Sequence, residues 1–295
     1  MSFREVGQQL RAYRMESGLK AEEISARLGI SRAALYRYEK GEVIKLETIT
    51  RLAELLKISP LTLLGIGFEY YAKPVSYTER LRQIEETADQ ILQAYGPVCY
   101  LLTSDLYDTA LSQILEEHTA STATDMQLAR AEVEQLMALM QARKKMYLTR
   151  KPAVIAILTI SSIQTFLAEG LAPTAQLSAS TRDMARKVAR DEMERIASLM
   201  ESEPLGLQLG LMPKGEFNGP FTLFRAREKA SLALNPFPSD SRPDTQSGIA
   251  MFTNAEDAIT AHQRIFEQVW PEAVKGSAAA RCVRDLIMEI PSCPF

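Results

Sequence analysis

The most constraining feature of this 295-residue chain lies between Leu19 and Gly41, where the sequence reads LKAEEISARLGISRAALYRYEKG. Two short amphipathic segments flank Gly29, a residue type that tolerates the left-handed backbone conformation after a helix. Ser31 is a favourable N-cap for the second segment, because a serine hydroxyl accepts a hydrogen bond from a free amide of the first turn. The stretch therefore predicts a helix-turn-helix, two short helices joined by a tight turn.

Further helices are predicted on both sides of this pair. Residues 3–17 carry apolar side chains at the spacing i, i+4, i+7, which is typical of an amphipathic helix. The same spacing recurs over residues 47–57, and Pro60 then stands where proline is tolerated, just inside the start of a helix. The sequence thus predicts a compact all-α domain of five helices over residues 1–66.

Charge is distributed unevenly along the chain. The formal net charge is −3, so no global basic field attracts the protein to nucleic acid. Residues 1–70 hold 11 Lys and Arg against 9 Asp and Glu, whereas the remainder holds 23 against 28. A slightly basic amino-terminal segment followed by an acidic remainder is consistent with a DNA-binding module fused to a domain that does not contact DNA.

The rest of the chain predicts a linker over residues 67–77 and an α/β domain over residues 78–295. Its apolar patterns give predicted helices over 78–95, 105–117, 125–147, 161–169, 182–201 and 255–274. Predicted strands cover 98–102, 153–160, 207–212, 221–224, 231–234 and 249–252. Residues 236–248 are rich in Pro, Ser and Asp and are predicted to form an exposed loop.

The first 66 residues resemble the Xre/Cro type of lambda-repressor-like DNA-binding domain. The matching positions are Arg14, Gly18, Leu19, Glu23, Leu28, Gly29, Ser31, Leu35, Arg37, Glu39, Lys40 and Gly41. The resemblance implies a dimeric bacterial transcription regulator whose second short helix enters the major groove of DNA.

The resemblance also implies a role for individual residues. Base-reading positions of the recognition helix correspond to Arg32, Ala33 and Arg37. Positions near DNA phosphates correspond to Lys20, Ser31, Tyr36, Lys40 and Lys45. Phosphate contacts orient the protein on the duplex, whereas contacts with base edges read the sequence.

Two further positions bear on the resemblance. Arg14 and Glu39 match a pair that usually forms a structural salt bridge in this family, so neither is assigned to DNA. The family commonly has glutamine at the second position of the preceding helix, where this chain has Ala21. We expect Lys20 to supply the phosphate contact that this glutamine otherwise makes.

The larger domain lacks the sequence motifs of common catalytic sites. Residues 78–295 contain no GxGxxG, GxxxxGK[ST] or GxSxG pattern, and the two histidines, His118 and His262, have no zinc-like spacing. Scattered cysteines indicate a reduced compartment, and the longest apolar run, 153–160, is too short for a membrane helix of about 20 residues. We therefore expect a cytoplasmic protein that is not an enzyme, with no cofactor, metal or membrane partner.

The two-part organisation predicts a one-component sensor that binds operator DNA as a homodimer and a small-molecule effector through its larger domain. Arg182, Arg186 and Arg190 recur at i, i+4, i+8 and are candidate ligands of an anionic effector, although a solvated charged face explains them as well. Two alternatives remain open from sequence. One is an antitoxin-like repressor whose larger domain binds a protein partner, and the other is a DNA-tethered enzyme.

Overall fold

A computed structural model describes residues 3–290 except 65, 97, 124, 172–176, 213–218, 228 and 236–247. Within these residues the helices are α1 Phe3–Ser17, α2 Ala21–Leu28, α3 Arg32–Glu39, α4 Leu46–Leu56, α5 Pro60–Leu63, α6 Pro74–Glu85, α7 Asp105–Thr122, α8 Met126–Arg150, α9 Ile160–Glu169, α10 Ala179–Ser202, α11 Glu256–Val269 and α12 Gly276–Glu289. The strands are β1 Phe68–Tyr71, β2 Gln90–Gly96, β3 Ala153–Thr159, β4 Leu207–Met212, β5 Phe221–Arg225, β6 Ala230–Leu234, β7 Ala250–Thr253 and β8 Val274–Lys275.

Helices α1 to α5 form the amino-terminal helical domain that the sequence predicts. Gly29 ends α2 in the left-handed conformation, with φ of 67°. The Ser31 hydroxyl then accepts a hydrogen bond of 3.0 Å from the Ala34 amide and caps α3. These two residues hold the turn between α2 and α3, and the predicted helix-turn-helix is confirmed.

The remaining chain folds around one mixed sheet of eight strands, in the order β1-β7-β6-β5-β2-β3-β4-β8. Strands β2, β3 and β4 are parallel neighbours, and the other neighbouring pairs are antiparallel. Helices connect the parallel strands, because a parallel pair needs a long crossover connection. The prediction of an α/β domain after the helical domain is confirmed.

The hydrophobic core lies on both faces of this sheet. One cluster packs α11 against the sheet and includes Phe266, a buried residue of that helix. The other cluster contains side chains from most of the remaining helices and continues without a break into the core of the helical domain, through residues such as Leu10, Leu63 and Tyr71. The helical domain and the sheet therefore share one core.

The segment 67–77, predicted as a linker, contains regular structure instead. Strand β1 pairs with β7, and α6 begins at Pro74. The Glu16 carboxylate on α1 accepts hydrogen bonds from the amides of Ala72 and Lys73, at 2.7 and 3.1 Å. These contacts involve residues distant in sequence, which explains why local patterns did not reveal them.

Three other predicted elements differ from the structure. The helix predicted over 78–95 ends at Glu85, and residues 90–96 form β2, which pairs with strands on both sides. The strand predicted over 98–102 is a 3-10 turn at Tyr100–Leu102. The closing helix predicted over 255–274 ends at Val269, before a turn that contains proline.

Most of the predicted polar loop, residues 236–247, lies outside the described residues. Among the helices that the structure describes, none combines the length and the apolar character that crossing a membrane requires.

Candidate DNA-binding site

Helix α3 has one buried and one exposed face. Ala34 and Leu35 point into the core of the helical domain, and Leu35 is fully buried. The predicted base-reading residues Arg32, Ala33 and Arg37 are all exposed. The structure therefore places them together on the side of α3 that faces away from the protein.

Both arginines of this exposed face form ion pairs with nearby carboxylates. Arg32 contacts Glu22 at 2.9 Å, and Arg37 contacts Glu42 at 2.8 Å. About half or more of each of these side chains is exposed. Because exposed ion pairs contribute only about 0–1 kcal/mol, a nucleic acid that offers better acceptors can displace both carboxylates.

The predicted phosphate-contacting residues lie at the ends of the short helices. Lys20, Lys40 and Lys45 are exposed at the N-cap of α2, the C-cap of α3 and the N-cap of α4. Tyr36 is 40% exposed. The Ser31 oxygen caps α3, which leaves its hydroxyl proton available to donate to an anion. Together these groups give the rim of the exposed face a positive and polar character.

A partly buried ion pair fixes α3 against α1. Arg14 donates two hydrogen bonds to the Glu39 carboxylate, from Nε at 2.6 Å and from Nη2 at 3.2 Å. Burial alone would lower the pKa of Arg14, but the hydrogen bond and the charge of Glu39 outweigh it and raise that pKa. The predicted structural pairing of these two residues is confirmed.

A glycine also sets the distance between α1 and α3, and the sequence analysis missed it. A Cβ atom at Gly7 would lie 2.3 Å from the carbonyl oxygen of Tyr38, closer than atoms can approach. Only glycine allows this helix crossing, so α1 and α3 form one packed unit. No local sequence motif marks this position, because the close approach of α1 and α3 depends on the tertiary fold.

The opposite face of α1 packs against the sheet domain through a buried polar network. Glu69 on β1 accepts two hydrogen bonds of 2.7 Å from the Arg80 guanidinium and one of 2.7 Å from Gln9 on α1. The Tyr71 hydroxyl also donates to Glu69, at 2.9 Å. Buried charges are costly unless they are paired, so this network defines one orientation of the helix-turn-helix relative to the sheet.

Two of the three candidate effector arginines on α10 contact the ends of neighbouring helices. Arg186 donates to the carbonyl of Ala168 at the end of α9, at 3.0 Å. Arg190 donates to the carbonyls of Ile287 and Ile290 at the end of α12. Arg182 is exposed in this part of the fold. Arg186 and Arg190 thus make helix-end contacts, and the spacing of the three arginines alone could not reveal these contacts.

Among the residues that the structure describes, no group of three or more His, Cys, Asp or Glu side chains is arranged to hold an ion. His262 instead has its Nδ1 atom 2.8 Å from the carbonyl of Ala258 and its ring against Phe221.

Comparison with known proteins gives a match for the helical domain. Residues 5–63 match a family model described as a helix-turn-helix domain, and all the predicted DNA-contacting residues lie inside this range. A comparison of the sequence with curated proteins gives no match. Among solved structures, the chain is similar to TrmBL2, an archaeal chromatin protein whose structure is described as showing a novel mode of DNA binding.

That similarity covers 78% of this chain and 60% of the other, with 12% sequence identity and a TM-score of 0.33. The chain thus spans less than two thirds of the length of that protein. The match at residues 5–63 supports DNA binding in transcription regulation, and it identifies the amino-terminal domain of this chain as a helix-turn-helix domain.

Proposed function

We propose that the chain is a sequence-specific transcription regulator of the Xre/Cro type, in which α3 reads operator DNA and the α/β domain binds a small-molecule effector. The observation that carries the proposal is the exposed face of α3, where Arg32, Ala33 and Arg37 lie side by side. In the proposed complex α3 lies in the major groove, and the side chains of this exposed face contact the base edges.

The chemistry of these side chains suits base recognition. An arginine guanidinium donates two hydrogen bonds to O6 and N7 of guanine, which is worth about 1–3 kcal/mol of discrimination against another base. The methyl group of Ala33 packs against a thymine methyl group. Lys20, Lys40 and Lys45 then bind phosphates on either side and fix the register of α3.

The proposed regulator is a homodimer. A single helix-turn-helix module buries only about 600–1,000 Å² on DNA, which is small for tight specific binding. In a dimer, two modules bind half-sites about 34 Å apart, so the contacts of both modules contribute to the affinity for DNA. Their combined affinity depends on the distance between the two α3 helices, so an effector that moves one helical domain changes operator binding.

The α/β domain of the proposed regulator performs no catalytic step, and the protein acts in the cytoplasm, where operator DNA is accessible. Effector binding is its sensory role. A differential affinity of about 1–3 kcal/mol between two conformations is enough to change operator occupancy.

Footprinting on the DNA upstream of the gene tests the DNA-binding part of the proposal. We expect wild type to protect a two-fold-related site, and Arg32→Ala or Arg37→Ala to weaken that protection by about 5- to 150-fold. Arg281→Ala is the control, because Arg281 is an exposed arginine on α12, far along the chain from α3. Wild-type footprints from both α3 variants would show that another surface reads the DNA.

A further inference from the structure

A cavity of about 310 Å³ lies between the sheet and helices α6 and α8. Its floor is formed by Gln93 of β2 and Thr222 of β5, which are direct partners across the two strands. The cavity therefore lies near the carboxyl end of β2, where the parallel part of the sheet meets the antiparallel part. In open α/β sheets, ligand sites form outside the carboxyl ends of strands, at the point where the strand order reverses. Here the order reverses beside β2, since β3 and β4 lie on one side of it and β5 lies on the other.

Aromatic residues form part of the walls of the cavity. Those on the side of the sheet that faces α6 and α8 are Tyr77, Tyr100, Tyr107 and Phe224, whereas the rings of Tyr95 and Phe221 contact each other and pack with the cluster around α11. Tyr95 also has a positive φ of 67° beside an irregularity in the pairing of β2. Non-glycine residues in this conformation are rare and cluster at ligand-binding sites. The cavity thus has a partly aromatic lining, in which Tyr77 stacks on Phe252 and Tyr100 lies against Arg143, and it lies beside a segment of β2 with an unusual backbone conformation.

The charge of the cavity is balanced internally. Among its described lining residues, Glu85 and Arg143 are the charged ones. Arg143 donates two hydrogen bonds of 2.8 Å to the Glu85 carboxylate, and both side chains are buried. The Arg143 guanidinium also lies over the ring of Tyr100, 5.3 Å from its centroid. A charged ligand would have to break this pair, whereas an uncharged ligand leaves it intact.

Helix α6 separates the cavity from the helix-turn-helix domain. Tyr77, Leu81 and Glu85 of α6 line the cavity. Neighbouring positions of α6 contact α1. The carboxylate of Glu79 on α6 forms an ion pair of 3.1 Å with Arg11 on α1. The same side of α6 is tied to α1 by Ser76, which donates to Glu16, and by Gln83, which donates to the carbonyl of Gln8.

Every described residue of α6 except Arg82 is buried, so a ligand that pushes on α6 displaces packed atoms on its other side. The next packed element is α1, which is fixed to α3 by the Arg14–Glu39 pair and by the close approach at Gly7. Packed and hydrogen-bonded side chains therefore connect the cavity to α3 through α6 and α1.

We infer that this cavity is the effector site, that it takes an uncharged compound with one or two flat rings, and that α6 transmits its occupancy to α1 and α3. The inference rests on the proposed function, because it names the site and the ligand class of the proposed sensor.

Calorimetry and thermal shift with matched probes test the ligand class on the full-length protein. The uncharged probes are phenol, indole and coumarin, and their charged counterparts are benzoate, indole-3-acetate and coumarin-3-carboxylate. We expect at least one uncharged probe to bind and to raise the melting temperature, with the charged counterparts at least 10-fold weaker. Absence of binding by all uncharged probes, or preference for a charged one, would overturn the assignment of the ligand.

Blocking variants test the location. Thr222→Trp places a large ring on the cavity floor, and Thr222→Phe is a smaller change in case the first variant does not fold. We expect either folded variant to weaken binding of the uncharged probe at least 10-fold. Thr165→Trp is the control, because Thr165 is exposed on α9 and does not line the cavity. Unchanged binding in a folded blocking variant would place the probe elsewhere.

Linkage between the two ligands tests the transmission through α6. We expect a saturating probe to change operator affinity at least fivefold, and operator DNA to change probe affinity by the same factor. Probe binding that leaves operator affinity unchanged would overturn the coupling and leave DNA recognition by α3 standing. Probe binding in a protein that recognises no operator would instead overturn the proposed function and retain the cavity as a ligand site.

Discussion

The ring of Tyr13 on α1 stacks on the ring of Tyr71 on β1, with centroids 5.0 Å apart and planes inclined by 18°. Both residues are buried, and the Tyr13 hydroxyl accepts a hydrogen bond of 3.2 Å from the amide of Tyr70. One ring belongs to the helix-turn-helix domain and the other to the sheet. The two domains are therefore packed against each other and are not separated by a flexible linker.

This packing predicts that the two domains unfold together. Tyr71→Ala should lower the free energy of unfolding by about 3 kcal/mol, because it removes a fully buried aromatic ring. Tyr70→Ala is the matched control, since Tyr70 is 50% exposed and should change stability by only about 0.5 kcal/mol. Urea unfolding followed by circular dichroism and by Trp270 fluorescence should give coincident curves. Two separate transitions would contradict a shared core.

Gly7→Ala should destabilise the protein although alanine is the better helix former by about 1 kcal/mol. The new methyl group would lie 2.3 Å from the Tyr38 carbonyl oxygen and would force α1 and α3 apart. We expect a lower melting temperature and weaker operator binding, measured by calorimetry and fluorescence anisotropy. Gln8→Ala, on the next residue of α1, is the control for a substitution in this helix. A more stable Gly7→Ala variant would refute the close crossing.

Glu42→Gln should strengthen DNA binding several-fold. The substitution releases Arg37 from an exposed ion pair of 2.8 Å. It also removes a negative charge beside the proposed DNA-binding face, which would repel DNA phosphates. Anisotropy titrations should show the gain most clearly at low salt, because salt screens charges that are exposed to solvent. Glu289→Gln, at the exposed end of α12, makes the same change of charge without this effect. Weaker binding by Glu42→Gln would show that Glu42 assists recognition.

Alkaline pH should destabilise the folded protein. Burial is the largest cause that raises the pKa of Tyr13, Tyr71, Tyr77 and Tyr100. An unfolded tyrosine ionises near pH 10, so these side chains bind their protons more tightly in the folded state. Their contribution to stability is full below about pH 10 and is lost as pH rises above it.

Urea unfolding at pH 9 and at pH 11 measures this loss. The free energy of unfolding should be lower at pH 11, and Tyr77→Phe should reduce the difference, because it removes one of the buried titrating groups. Equal stability at the two pH values would contradict the burial of these hydroxyls.

The helix-turn-helix was predictable because its signals are local. Gly29 and Ser31 mark the turn, and Arg14 and Glu39 stand at recognisable positions. The apolar strands β3 and β4 were predictable for the same reason, since short β-branched or apolar runs bounded by breakers favour strands.

Several elements that the sequence did not predict depend on distant partners. Residues 90–96 carry apolar side chains that fit a helix as well as a strand, and only pairing with β3 and β5 decides between them. The contact of Glu16 with the start of α6 likewise joins segments far apart in the chain. The cavity needs residues from six or more elements, so no single motif reveals it.

The most direct test of the account compares the affinity of the full-length protein for a duplex selected from a random pool and for the same duplex shuffled. By fluorescence anisotropy, wild type should prefer the selected duplex by about 10³-fold or more. Arg37→Ala should lose about 10-fold or more of that preference while binding the shuffled duplex almost as before. Equal affinity of wild type for the two duplexes would contradict sequence recognition by α3.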